Sequence, residues 1–138
     1  ETDIEFSKTR EFLASVPVDY LHVFTYSERA DTTAVRMGER VPVHVRRERT
    51  GQLRILGNSL QHAFHVRNIG AARPVLLEYG EPDAPSDRIL GFTDNYVRVS
   101  LPYDASLANT IVPVLLEGYD GAGNLAGRPV NERSKAEA

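Results

Sequence analysis

Two periods of apolar residues divide the chain. Up to Gly70 the oily positions recur three or four residues apart, and from Arg73 onward they alternate. The first pattern belongs to helices, the second to strands with one buried face. Thr2 and Glu5 have capping-box spacing, so a helix is expected at once. Phe6, Phe12, Leu13 and Val16 form its stripe, and Pro17 ends it. Tyr20-Leu-His-Val-Phe-Thr-Tyr26 carries few charged positions and reads as a strand. A helix, a tight link and an apolar strand are the αβ half of a parallel unit. One strand cannot make a parallel sheet, so its neighbours are expected either ahead of residue 1 or from an assembly. Ser27–Val41 is polar and unpatterned, a loop at the end of that strand where parallel α/β folds build their sites. Pro42 fits the first turn of the next helix, whose stripe runs Val45, Leu53, Leu56, Leu60 and Phe64, with Arg49 out of step. Gly51 and Gly57 each cost about 1 kcal/mol relative to alanine, so a break or kink is expected near Gly57. Gly70 is a natural terminator.

In the second half, Val75, Leu77 and Tyr79 alternate with Leu76 and Glu78 in a first strand. A Pro/Asp/Ser loop over Glu81–Asp87 separates it from Arg88–Thr93. A Thr93-Asp94-Asn95 corner then leads into Tyr96–Leu101. Pro102–Asn109 interrupts the sheet, with one helical turn over Ala105–Ala108. Ile111–Tyr119 is the next strand, though Pro113 implies an edge or a bulge. Asp120-Gly-Ala-Gly-Asn124 is a turn, and Leu125–Arg128 closes the set. Five short antiparallel strands in this length suit a small closed barrel. The tail from Pro129 to Ala138 is polar and expected to fray.

Composition narrows the chemistry. The 138 residues suit one domain or two small ones. No apolar run is long enough for a bilayer and no signal pattern requires export. The absence of cysteine removes disulfides, thiolate nucleophiles and cysteine-held metal or iron–sulfur groups from this chain. A net charge of −3 weakly opposes nucleic-acid binding. The charge is uneven, however: Arg36, Arg40, Arg46, Arg47, Arg49 and Arg54 face only Glu39 and Glu48, whereas the balance after residue 70 is acidic. The basic stretch reads as a solvated helix face or as an RNA site.

Candidate chemistry gathers at Gly91–Leu101. Phe92, Tyr96 and Arg98 offer aromatic rings and a guanidinium at the rim of a small β-domain, which suits base stacking and phosphate binding as well as ordinary sheet packing. Asp94 and Asn95 can contact a base edge or simply make the turn. His62 and His65 are three apart on a helix, but no carboxylate or cysteine nearby completes a metal site. No glycine-rich phosphate loop, HExxH or GxSxG motif occurs, so a self-contained active site is not expected.

Tyr20–Ala34, YLHVFTYSERADTTA, resembles the HVFPYSxRPGTxA segment of radical-SAM tRNA methylthiotransferases, and Glu1–Leu13 is similar to the GETxxxFxxTxxFL helix before it. Gly91–Leu101 with Pro102-Tyr-Asp104, Leu107, Asn109–Val112 and Gly118 resembles the C-terminal TRAM domain of that family. The LHVF and TDNY wording is similar to the MtaB-type branch, which adds a 2-methylthio group to N6-threonylcarbamoyladenosine at position 37 of tRNA. The resemblance implies an α+β chain. Residues 1–70 would be the final helix-strand-helix of a radical-SAM partial (β/α) barrel, 71–128 a five-stranded antiparallel OB-like TRAM barrel, and 129–138 a flexible tail.

By the same resemblance the whole enzyme uses two 4Fe-4S clusters and S-adenosyl-L-methionine, held in methylthiotransferase and radical-SAM regions ahead of Glu1. This stretch would carry no catalytic, cofactor or metal residue. Its expected partners are those regions and the tRNA anticodon stem-loop, in the cytoplasm, with no membrane and no DNA. Tyr26, Ser27, Arg29 and Thr32 match the loop that shapes the substrate mouth; Phe92, Asn95, Tyr96 and Arg98 match the RNA face. Thr25, Ala30 and Thr33 stand where the family has prolines and Asp31 where it has glycine, so a looser or rerouted loop is expected. A non-enzymatic RNA- or ribosome-binding module and a protein-interaction domain remain open.

Overall fold

The computed structural model describes residues 1–78 and 87–130, and the chain divides into two compact units between Phe64 and His65. In the first unit Thr2 caps α1 (Asp3–Ser15). Its hydroxyl accepts from the Glu5 N–H at 3.2 Å, while the Glu5 carboxylate accepts from the Thr2 N–H at 2.7 Å. Two orphan donors of the first turn are thus satisfied reciprocally. Of the expected apolar stripe only Phe6 is buried, and Phe12 stays 63% exposed.

Tyr20–Tyr26 keeps the alternation of a strand, with Leu21 and Val23 half-buried and Tyr20, His22 and Phe24 exposed. It nevertheless pairs with nothing among the described residues, so it is not a strand. A strand exists only when a neighbour takes its backbone donors and acceptors. The exposed rings meet one another instead: Tyr20 approaches His22 edge-on at 4.6 Å between centroids, and His22 lies parallel to Phe24 at 6.5 Å.

The polar loop that follows contains one helical turn, α2 (Thr33–Arg36). Then α3 (Val43–Asn68) runs for 26 residues without a break. Gly57 does not interrupt it. A Cβ there would lie 3.3 Å from that of Leu21, so the glycine permits close approach of the Tyr20–Tyr26 segment. Arg49, out of step with the stripe, donates to the Glu1 carbonyl and carboxylate at 3.0 Å and to Asp3 at 2.9 Å, and lies 5.4 Å above the Phe6 ring. Gly70, at φ +89°, follows the helix end as its position predicted.

In the second unit β1 (Ala72–Leu77), β2 (Arg88–Thr93), β3 (Arg98–Pro102), β4 (Ile111–Tyr119) and β5 (Leu125–Pro129) close a barrel in the order β1-β2-β3-β5-β4. Four pairings are antiparallel, but β3 and β5 run parallel through Val99↔Leu125 and Ser100↔Ala126. The barrel is therefore mixed, not wholly antiparallel. Alternation decides which face of a strand is buried and carries no information on the direction of its neighbour.

Val75, Leu77, Ile89, Val97, Val99, Leu101, Val114, Leu116 and Leu125 fill the interior, each contributing about 1.5–3 kcal/mol of burial. Gly91 leaves no room for a side chain, because a Cβ there would strike the Leu76 carbonyl and come within 2.9 Å of Val75. Pro113 lies opposite Pro74 in the β1–β4 register. The Leu77 N–H to Thr110 carbonyl bond sets the parity so that this pair needs no donors. A register shift at Leu116/Gly118 interrupts β4 against β5. A 3-10 turn over Ala105–Leu107 is capped by Asp104. Pro129 still belongs to β5, and the Val130 N–H donates to the Pro113 carbonyl. Tyr79, most of the Glu81–Asp87 loop and the tail from residue 131 lie outside the described residues.

Candidate nucleic-acid interface

The rim of the barrel is built by the β2–β3 hairpin. The Thr93 N–H donates to the Val97 carbonyl at 3.0 Å and the Tyr96 N–H to the Thr93 carbonyl at 3.1 Å. Asp94, Asn95 and Tyr96 thus form a three-residue loop, the third of them at φ +64°. Tyr96 is consequently outside β3, which begins at Arg98 and not at Tyr96 as the alternation predicted. Its ring is 84% exposed.

Phe92 and Arg98 face each other across the hairpin, with the guanidinium carbon 4.5 Å from the ring centroid, a cation–π contact. Arg98 also bonds to the Glu78 carboxylate at 2.8 Å. Arg73 grips Asp94 through two bonds, at 2.8 and 3.2 Å. Those bonds hold the Asp94 carboxyl below its ordinary range against the opposing effect of desolvation. Asn95 points back into the protein: it accepts from the Thr93 hydroxyl at 2.6 Å and donates to the Asn68 side chain at 3.1 Å.

Ser100 shares the outer face in sequence but is 1% exposed. Arg88 donates to its carbonyl and hydroxyl at 3.0 Å, and its hydroxyl donates to Asp120 at 2.6 Å. Beyond Phe92 the outer face continues through Leu76 to Ile111 in the register of β2, β1 and β4, and both side chains are exposed. Sequence reasoning passed over Glu78, Asn68 and this apolar pair. Period two alone placed Leu76 and Glu78 on the outer face; it did not say which of their neighbours β2 and β3 would bring.

In the first unit a cavity of about 390 Å³ is lined by Phe6, Phe24, Tyr26, Arg46, Thr50 and Leu53 among others. Of the candidates Tyr26, Ser27, Arg29 and Thr32, only Tyr26 reaches its wall. Arg46 lies 5.1 Å above the Tyr26 ring and donates to Glu28 at 2.9 Å and to the Val41 carbonyl at 2.8 Å. Its bond to Glu28, with a further contribution from Arg40, lowers the pKa of the Glu28 carboxyl. The basic stretch thus spends Arg46 and Arg49 on ion pairs within this unit, while Arg36, Arg47 and Arg54 are exposed.

Thr32 donates to the Arg29 carbonyl at 2.9 Å, and Ser27 and Arg29 are exposed. Asp31 adopts φ +63°, so aspartate supplies the left-handed geometry that its replacement of glycine put in question. Thr25 is tied to α3 by a 3.1 Å bond to the Thr50 hydroxyl, a restraint in place of the missing proline ring.

The chain has no cysteine, and among the described residues no three His, Cys, Asp or Glu side chains converge as metal ligands. The residues present therefore do not fit an iron–sulfur cluster. His65, half of the histidine pair, bonds to the Tyr119 hydroxyl at 3.0 Å. No helix among the described residues is long and apolar enough to cross a membrane.

A five-stranded OB-like barrel of the TRAM kind, carrying an exposed aromatic and a ring-stacked guanidinium at its hairpin rim, defines the class. No family model matches the chain. It is 33% identical over 117 residues to the tRNA-2-methylthio-N(6)-dimethylallyladenosine synthase of Desulfitobacterium hafniense (strain Y51), covering 85% of this chain and 26% of that protein. To the protein of the same name from Symbiobacterium thermophilum it is 34% identical over 114 residues, 83% of this chain and 24% of the relative. To the threonylcarbamoyladenosine tRNA methylthiotransferase MtaB of Rickettsia prowazekii (strain Madrid E) it is 36% identical over 101 residues, 73% of this chain and 22% of the relative. The chain belongs to this tRNA methylthiotransferase family. It spans about a quarter of the length of the curated relatives it matches.

Proposed function

We propose that the chain is the C-terminal region of an enzyme that adds a 2-methylthio group to threonylcarbamoyladenosine at position 37 of tRNA. Residues 1–70 would close the radical-SAM partial barrel, and the TRAM barrel over 71–128 would hold the anticodon stem-loop. The observation that carries this reading is the Phe92–Arg98 stack beside the exposed Tyr96, on a barrel of this family. Aromatic faces accept unpaired bases, and a guanidinium accepts phosphate or stacks in turn. Glu78 already pairs with Arg98, so an incoming phosphate shares or displaces that carboxylate. The 36% identity to an MtaB protein supports the threonylcarbamoyl substrate, and dimethylallyladenosine is the runner-up.

In the longer protein two 4Fe-4S clusters and S-adenosyl-L-methionine, held by residues outside this chain, would supply the sulfur insertion and radical chemistry. This chain's own share is to bind and orient, with Tyr26, Ser27, Arg29 and Thr32 shaping the mouth toward the target base. The proposed site of action is the cytoplasm, alongside its tRNA substrate. One observation favours a second reading, a protein-interaction face: Leu76 and Ile111 are exposed side by side and have no π-face for a base.

The test is mass analysis of tRNA from a strain lacking the full-length gene, complemented with wild type or with Arg98→Ala/Tyr96→Ala. Loss of the 2-methylthio mark from threonylcarbamoyladenosine on deletion, and incomplete rescue by the double variant, are the expected results. An unchanged mark on deletion overturns the activity. Full rescue by the double variant overturns the RNA face.

A further inference from the structure

A three-residue hairpin loop whose last residue is left-handed ordinarily places glycine there, because a Cβ is disfavoured at positive φ. Here that residue is Tyr96, at φ +64°. Among the described residues three other non-glycines have positive φ, Asp31, Glu39 and Asn109; Asp and Asn tolerate the region far better than an aromatic. Nothing in packing offsets the strain, since the Tyr96 ring is 84% exposed. Stability alone favours glycine at this position.

The corner is over-determined by its neighbours. The Thr93 hydroxyl accepts from the Val97 N–H at 2.8 Å and donates to Asn95 at 2.6 Å. Asn95 in turn donates to Asn68 at 3.1 Å, and Asn68 and Thr93 are buried. The Thr93 carbonyl receives the Tyr96 N–H, while the Asp94 N–H donates to the Pro74 carbonyl at 3.2 Å. Strained residues persist where surrounding bonds fix them, and such sites concentrate where a side chain must be presented in one direction.

We propose that the Thr93–Asn95–Asn68 hydrogen-bond chain holds Tyr96 in its left-handed conformation so that its ring stands ready as a stacking platform for an unpaired RNA base. Asn95 and Asn68 are then positioning residues and do not themselves read a base. This rests on the RNA reading of the rim given above and adds to it the device that pre-organises the ring.

The 138-residue chain, wild type and variants, is compared in thermal unfolding and in affinity for an unmodified anticodon stem-loop RNA at low salt. Tyr96→Gly relieves the backbone and removes the ring. Its unfolding midpoint rises by about 4 °C, and its affinity falls about tenfold, within the range for loss of one stacked base. Tyr96→Phe keeps the ring and leaves affinity within about twofold of wild type, because stacking needs no hydroxyl. Asn95→Ala keeps the ring but frees it, and affinity falls about fivefold at a temperature well below its midpoint, an intermediate loss on the same scale.

A Tyr96→Gly midpoint at or below wild type overturns the strain. Wild-type affinity in Tyr96→Gly, or in Asn95→Ala, overturns the platform or its positioning. If the wild-type chain itself fails to bind the stem-loop, the RNA reading of the rim falls instead.

Discussion

The barrel buries what its pattern tells it to bury, and the first unit does not. Inward positions from Val75 to Leu125 are closed off by neighbours within the same barrel, whereas Ile4, Phe12 and Phe24 are exposed. The backbone behaves the same way: five strands satisfy one another round a closed barrel, but Tyr20–Tyr26 has a strand's alternation and no ladder. Periodicity thus states a demand for neighbours. Only where the neighbours are local does the demand become structure.

The largest expected effect comes from breaking the closed side of this comparison. Leu101 is fully buried in β3, and Leu101→Ala should cost about 2–5 kcal/mol through lost transfer energy and the cavity left behind. Urea unfolding followed by circular dichroism measures it. A loss below about 1 kcal/mol would mean that the barrel interior is not the packed core of the second unit.

The same comparison explains what could be read beforehand. The ranges of β2 and β4, the 3-10 turn and the helix terminator at Gly70 follow from alternation, proline and glycine placement, all local properties. The parallel β3–β5 pairing was hidden, because it joins residues far apart and leaves the alternation of each strand unchanged. Gly57 misled for a related reason: its effect on helix propensity is local, but its use against Leu21 is not. At the rim, residue types named Phe92, Tyr96 and Arg98. The pairing of Arg98 with Glu78 and of Asn95 with Asn68 depended on strand register and on where α3 ends.

A smaller effect belongs to the outer face of the barrel, where polar groups do the closing. Burial alone would raise the Asp120 carboxyl, but bonds from the Ser100 hydroxyl and the Ala122 and Asn124 N–H groups outweigh it, holding the pKa below the ordinary aspartate value. A carboxyl depressed in the folded state stabilises the fold fully above its unfolded pKa, and that contribution is lost as pH falls through the folded value. Wild type should therefore lose stability below about pH 4, and Asp120→Asn should lose less over the same interval while starting from a lower stability at neutral pH. Denaturant unfolding between pH 7 and pH 3 gives both curves; parallel curves would remove Asp120 from the acid response.

The smallest effect is expected at Phe12, and it bears most directly on the first unit. Since 63% of its surface is already in water, Phe12→Ala in the 138-residue chain should change stability by no more than about 0.5 kcal/mol. In the longer protein proposed above, the α1 stripe has a barrel to pack against, and the same substitution should cost about 3 kcal/mol. The ratio of the two, read from chemical unfolding of each, measures how much of the stripe's demand is met elsewhere. Equal small losses would leave Phe12 an ordinary surface residue. A large loss in the short chain would mean that the first unit already buries it, and the contrast between the two halves would no longer hold.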